Sequence, residues 1–357
     1  MKRGYCMENC LLSFIGKVGT GARGAKDLTY EEAFAAMNAI LDGAYHPVTL
    51  GAFLLAERWK PETAEEMAAF ADAMQQRLIR LPSFQPIPGL INYACAYDGK
   101  KRTLNIGIPA ALIASAAGVP ILLHSGCDVP TKAGATHFHV LNRLGIDARP
   151  TQRQAYDLLR QIGIAYLHQP DFNPEIHKLL DERRQVGKRT IFNTIEPWAN
   201  PFAATIYVGG FFHRPFAELI CNAMQKSSLG YERIIAVAGI EGSNEIRPER
   251  SLIAEIKNGA VETTYLESSA FGLHIHSKDI DSKSNIVNEL SCESAERIEA
   301  LLKGGEPGGF CDIILLNAAF LLLISGKIPT LREGITRSRE ILKTREAWEK
   351  LRQWRCK

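Results

Sequence analysis

The chain has 357 residues, 46% of them hydrophobic and 23% charged, and a formal net charge of +3. This is the composition of an ordinary globular protein, long enough for two domains. A membrane span is excluded: the longest apolar run, Ile313 to Ile324, contains Asn317 and stops at Ser325-Gly326-Lys327, short of the roughly 18 residues a span needs, so it reads as a buried helix.

At the N-terminus Lys2 and Arg3 are followed by Glu8 and Asn9 with no small-residue cleavage site, so a cytoplasmic location is expected. The apolar run Leu11-Leu12-Ser13-Phe14-Ile15 leads into Gly19-x-Gly21-x-x-Gly24. That spacing matches a dinucleotide fingerprint, but no βαβ unit surrounds it and no acidic residue follows a second strand. The loop with Lys17, Arg23 and Lys26 therefore reads as a basic lead into a helix. Helices are expected over 30–42, 48–58 and 62–79; Thr29 with Glu32 and Thr63 with Glu66 open the first and third in capping-box spacing. The Pro-rich interval from Leu81 to Pro88 reads as a linker. Beyond it, strands near 90–96, 120–124, 164–167, 203–208 and 233–238 alternate with helices. That order predicts an open, mostly parallel sheet with ligands at the carboxyl ends of its strands. A hairpin over 251–257 and 260–266 and helices over 294–303, 311–325 and 331–353 complete the chain.

The eight cysteines are scattered without C-x-x-C spacing, which is neither a disulfide framework nor a zinc site, and buried free thiols are expected for most. His137-x-His139 and His274-x-His276 lack further ligands nearby in sequence and read as structural. Residues 330–357 hold nine Lys/Arg against four Glu. With Trp348 and Trp354, that helix reads either as a solvated face with its aromatics inward or as a nucleic-acid contact.

The most informative stretch is 173–201. Asn173 as N-cap, Pro174 at the first position, Glu175 in the first turn, Arg183 and Arg184 in the last and Gly187 just beyond predict one helix with both ends specified. Ile176, Leu179, Leu180 and Arg183 follow i, i+3, i+4, i+7, so a guanidinium lies on the inward stripe. Three readings stand side by side: a buried ion pair with a carboxylate elsewhere, an Arg that snorkels outward, or a seat for an anionic ligand.

The pattern Arg183-Arg184-x-x-Gly187-x-Arg189-Thr190-Ile191-Phe192-Asn193-x-x-x-Pro197-x-x-Asn200-Pro201 resembles the signature of the anthranilate phosphoribosyltransferases. Segments at 51–55, 63–67 and 315–319 resemble that family too, so the likeness spans about residues 28–345. It implies a small helical domain over 1–80 that makes a homodimer contact, a returning helical segment near 172–195, and an α/β domain over 89–357. It also implies that Arg183 holds the acceptor.

The donor site departs from the family. Its Gly-Thr-Gly-Gly-Asp-Gly loop and following Asn-x-Ser-Thr correspond here to Ala96-Tyr97-Asp98-Gly99-Lys100-Lys101-Arg102 and Asn105-Ile106-Gly107-Ile108. Asp98, Gly99 and Asn105 survive; the glycine run and the two hydroxyls do not. Lys100, Lys101 and Arg102 are expected to compensate by charge. His124 and Lys132 keep the eight-residue separation of the next family motif. The family's Asp-Glu metal pair is matched by Asn244 and Glu245, with Glu241 a nearby substitute, so a weakened magnesium site is expected. Changed donor contacts on an intact framework point to a divergent paralogue. Beside a purely structural dimeric scaffold, two readings follow. One is transfer of a phosphoribosyl group from phosphoribosyl pyrophosphate to a small nitrogen acceptor by positioning, without a side-chain nucleophile. The other is a non-catalytic protein that binds single-stranded nucleic acid through its basic segments.

Overall fold

The computed structural model describes residues 10–357 apart from 22 and 306; Lys2, Arg3, Cys6, Glu8 and Asn9 lie outside the described residues. An N-terminal helical block comprises α1 (Leu11–Val18), α2 (Tyr30–Leu41), α3 (Pro47–Trp59) and α4 (Ala64–Arg77). Both expected capping boxes form: Thr29 accepts from Glu32 N and Thr63 from Glu66 N, and each glutamate returns a bond to its cap. The larger α/β domain carries one seven-stranded sheet in the order β3-β2-β1-β4-β5-β6-β7. Its strands are β1 (Ile91–Asn92), β2 (Ile121–Ser125), β3 (Ile164–His168), β4 (Ile206–Gly210), β5 (Arg233–Val237), β6 (Arg250–Lys257) and β7 (Ala260–Glu267). The first five are parallel and the last two form an antiparallel hairpin on the edge.

Helices cover both faces: α5 (Gly107–Ala116), α6 (His137–Arg143), α7 (Gln152–Ile162), the short run α8 (Gln169–Phe172), α9 (Pro174–His177), α10 (Leu180–Val186) and α11 (Phe192–Ile195), then α12 (Phe216–Lys226), α13 (Val287–Leu302), α14 (Gly309–Ile324), α15 (Leu331–Lys343) and α16 (Glu346–Arg355). Cover on both faces buries every residue of β2 and β3, as a parallel sheet requires. Among the described residues no helix is long and apolar enough to cross a membrane; the run around Asn317 is the buried α14, and the Asn317 side chain is satisfied internally by accepting from Ile246 N at 2.8 Å.

Three expectations need correction. The single helix over 173–187 is broken, because a tight bond from Leu179 N to Ile176 O ends α9 and Leu179 leaves helical ψ before α10 begins. Asn173 gives no side-chain cap, although the inward stripe and the left-handed Gly187 hold. The helix over 331–353 is two helices, divided where Arg345 turns left-handed at φ 61°. The strand over 90–96 shrinks to Ile91–Asn92, beyond which the chain leaves the sheet to build the loop described next.

The segment 169–200 packs back against the helical block. Val186 lies against Gly51 of α3, Arg58 Nη1 donates to Arg189 O at 2.6 Å, and Gln75 of α4 exchanges two 3.0 Å bonds with Asn200. The loops at the carboxyl ends of β1, β2 and β5 meet this packing through Asp98, Lys132, Arg189 and Glu241, on the side where an open α/β sheet forms its ligand cleft.

Candidate functional site

The loop after β1 opens the cleft. Gly99 sits at φ 75° with Gly134 so close that a Cβ would meet its carbonyl at 2.4 Å, which requires glycine there. That approach lets Lys100 pair with Ala135 in an antiparallel bridge. Asp98, 2% exposed, accepts from Arg189 Nε at 2.9 Å and Nη2 at 2.5 Å, and Lys132 Nζ lies 3.5 Å away. The sequence-predicted Asp98, Gly99 and Lys132 are thus brought together, joined by Arg189.

Next along the loop, three successive amides turn inward. Lys101 N, Arg102 N and Thr103 N donate to the Glu241 carboxylate at 3.1, 3.0 and 3.0 Å, and Thr103 Oγ1 adds a fourth bond at 2.9 Å. Such a nest of N–H groups is an anion seat, and here the anion is the chain's own. Burial works to raise the Glu241 carboxyl, but the amides of Lys101 and Arg102 together with Lys132 outweigh it and hold the pKa low. Glu241 itself occupies a left-handed conformation at φ 51°, a strained position for a residue with a Cβ.

A second anion seat is filled in the same way. Glu245, 1% exposed, accepts from Ile106 N at 2.9 Å and Gly107 N at 2.6 Å at the N-terminus of α5, and its other oxygen pairs with the buried Lys100 ammonium. Asn105, just before the helix, accepts from Ile108 N at 2.9 Å. Helix N-termini attract anions, and this one holds a carboxylate.

The same bonds test the expected magnesium site. Every Glu245 oxygen is committed to an ammonium, an amide or the Ser243 hydroxyl. Asn244 is uncharged; its Nδ2 donates to Val208 O at 3.1 Å and its buried Oδ1 has no partner among the described residues. A hard divalent ion wants several oxygens, with carboxylates among them, and here a resident ammonium competes for the single carboxylate. Asn244 and Glu245 do not fit magnesium. Among the described residues no group of three His, Cys, Asp or Glu is placed to hold a metal, the two His-x-His pairs included.

His124 does not face the cleft. It is buried between the Tyr97 hydroxyl at Nδ1 and Asn92 Oδ1, 2.7 Å from Nε2, and burial lowers its pKa to about 3. A neutral imidazole there braces β1 against β2.

Arg183 is 1% exposed and makes a fork with Glu196, 2.8 Å from Nη1 to Oε1 and 2.9 Å from Nη2 to Oε2. Gln169 Nε2 adds 2.7 Å to Oε1, and the Phe192 ring lies under the guanidinium. Of the three sequence readings, the observed one is the buried ion pair. Sequence reasoning misses Glu196, although it is the one acidic residue between 185 and 201 and so the nearest downstream counter-ion for an inward Arg. Neither member of the pair lines the open cavity of about 470 Å³ formed by Cys127, Asp128, His177, Lys178, Leu180, Asp181 and Arg184.

Cations crowd the cleft rim. Lys101, Arg102 and Lys188 pair with no carboxylate among the described residues, and Arg102 and Lys188 are exposed. A Cβ on Gly242 would meet the half-exposed Phe212 at 3.2 Å and Arg189 Nη1 at 3.9 Å, which places the exposed 212–214 turn, with His213 and Arg214, beside the same loop. In the C-terminal basic helices three residues face inward. Trp354 is buried, Arg355 bonds Glu299 and Leu144 O, and Lys350 donates to Ile162 O at 2.7 Å.

Two family models match the chain: the a/b domain of a glycosyl transferase family over residues 98–348 and the helical bundle domain of a glycosyl transferase family over residues 12–78. The chain is 30% identical to an anthranilate phosphoribosyltransferase of Chromobacterium violaceum over 329 residues, 92% of this chain and 93% of that one. A crystal structure of anthranilate phosphoribosyltransferase from Thermus thermophilus superposes with a TM-score of 0.79 at 27% identity, covering 93% of this chain and 96% of that one. The enzyme from Saccharomyces cerevisiae, in complex with phosphoribosyl pyrophosphate and magnesium, gives a TM-score of 0.81 over 96% of each chain; at 22% identity this is a likeness of fold.

Proposed function

The chain belongs to the glycosyl transferase family of the anthranilate phosphoribosyltransferases, and on that premise we propose that it binds the backbone of single-stranded nucleic acid in the cleft rather than transferring a phosphoribosyl group. One observation carries this reading: Glu241 and Glu245 fill the anion seats of the donor loop. Lys101 and Arg102 carry the amides that hold Glu241, Lys188 precedes Arg189 and Arg214 follows Phe212 by two residues; none of these four cations pairs with a carboxylate among the described residues. A row of surface cations beside an exposed aromatic, Phe212, suits a chain of phosphates and bases better than one small diphosphate. Lys100 belongs to the closed seat, and Lys101 and Arg102 belong to the binding surface.

Titrating a labelled oligothymidylate at two salt concentrations tests it. Binding weakens as salt rises, and Lys101→Ala/Arg102→Ala lowers the slope of log K against log salt by about 0.7 for each phosphate that the protein ceases to neutralise. Binding that is absent, or indifferent to salt and to that substitution, refutes it.

Phosphoribosyl transfer is the second reading, favoured by the 30% identity to an anthranilate phosphoribosyltransferase over 92% of the chain. It requires the donor to displace Glu241 and Glu245 from their amides, and it proceeds without the Asn244-Glu245 pair as a metal site.

Two copies pair through the helical block. Val48 is 85% exposed, Leu55 42% and Trp59 80%; they share one face of α3, and Leu12 of the adjacent α1 adds a further exposed apolar side chain. Such a stripe marks an interaction surface.

A further inference from the structure

Phe212 is 49% exposed beside the loop that carries Glu241, and its surroundings fix it there. Phe211 before it is buried and donates its amide to Val237 O at 2.9 Å; after it Phe216 N donates to His213 O at 2.9 Å and Ala217 N to Arg214 O at 3.0 Å, as the chain turns into α12. A Cβ on Gly210 would meet Gly242 O and Ser243 O at 2.3 Å each, so the end of β4 lies directly on the loop after β5. Gly242 stands at φ 83°, and a Cβ there would meet Phe212 Cδ2 at 3.2 Å; the ring rests on bare backbone. His213 meets that ring edge to face, with centroids 5.0 Å apart. A single exposed apolar side chain is ordinary by itself. This one is set apart by its position. Gly242 follows Glu241, whose carboxylate gathers the amides of Lys101 and Arg102, and Arg189 Nη1 would stand 3.9 Å from the same Gly242 Cβ.

Resting on the nucleic-acid reading, we infer that Phe212 is its specificity-determining residue: the exposed ring stacks one unpaired base and so selects single strands over duplex. Phosphate contacts make no such choice, because Lys101 and Arg102 meet a charged backbone in either form. An aromatic ring does, since the faces of bases in a duplex are already stacked on their neighbours, whereas a single strand offers its bases to the protein. Every base has such a face, so the selection is for unpaired bases and not for one sequence. The two contributions are separable: the cations set the salt dependence, and the ring adds affinity without altering it.

The test compares the parent with Phe212→Ala, Phe212→Leu and Phe212→Trp as full chains. Each is titrated at two salt concentrations with an oligothymidylate, with the same strand paired to oligodeoxyadenylate, and with an abasic oligomer of equal length. Phe212→Ala and Phe212→Leu should each weaken oligothymidylate binding about five- to a hundredfold and remove the preference over duplex. They should leave the abasic oligomer, the salt slope and the unfolding midpoint as in the parent, while Phe212→Trp keeps the preference. Salt-dependent binding by the parent that Phe212→Ala leaves unaltered would overturn this inference and leave the nucleic-acid reading standing. So would an equal loss for the abasic oligomer, or a Phe212→Leu protein that binds like the parent, since leucine keeps apolar bulk without a ring. A parent that binds none of the three ligands removes the reading and the inference together.

Discussion

Two buried side chains show how single residues set this molecule's behaviour. Arg183 and Glu196 compensate each other in a dry environment, and breaking such a pair from one side costs about 3–5 kcal/mol. Arg183→Ala is therefore expected to lower the denaturation midpoint sharply, while replacing both partners by Met recovers most of the loss. Little change in the single variant would show that the pair carries no stability. Glu57 on α3 is the opposite case, a carboxyl with neither oxygen hydrogen-bonded among the described residues and Lys60 no nearer than 3.7 Å. Burial, then the charge of Glu66, push its pKa up from 4.5 to about 8, with Lys60 opposing. The folded chain keeps a proton that the unfolded chain has released above pH 4.5, so the stabilisation present below that pH is lost as pH rises through about 8. The loss is at most about 1.4 kcal/mol per pH unit. Glu57→Gln should flatten the decline in urea titrations between these limits, and an unchanged slope would refute the assignment.

At the level of elements, local chemistry was legible and tertiary pairing was not. Thr29 and Thr63 announce their helices because a capping box lies within three residues of sequence, and the alternation of strands and helices from residue 90 to 238 yields the parallel sheet. The inward stripe of Ile176, Leu179, Leu180 and Arg183 was readable as well. The break between α9 and α10 was not, since it rests on the bond from Leu179 N to Ile176 O and the ψ of Leu179, which no residue spacing announces. The donor loop is the clearest case. Its cations were visible as a run, but their division was hidden because it depends on Glu245, 145 positions away from Lys100. That division makes a prediction: Lys100→Ala strands a buried carboxylate and costs roughly 3 kcal/mol. Lys101→Ala/Arg102→Ala leaves the amides on Glu241 in place and changes stability by less than about 0.5 kcal/mol. Chemical denaturation of the two variants decides it, and equal losses would contradict the division.

For the whole molecule, the helical block and the α/β domain meet along the cleft, while the apolar stripe of α3 is left exposed. A homodimer in sedimentation at micromolar concentration is expected, converted to monomer by Val48→Glu/Trp59→Glu, and a monomeric parent would remove the interface. Within the family framework Glu241 and Glu245 close the anion seats, and the cations beside them are the proposed site for a polyanion. The most direct measurement titrates the parent calorimetrically with phosphoribosyl pyrophosphate, with and without magnesium, beside an oligothymidylate in the same buffer. Closed seats predict salt-sensitive binding of the oligonucleotide and no saturable, magnesium-dependent binding of the diphosphate; tight diphosphate binding that requires magnesium, with none of the oligonucleotide, would contradict them.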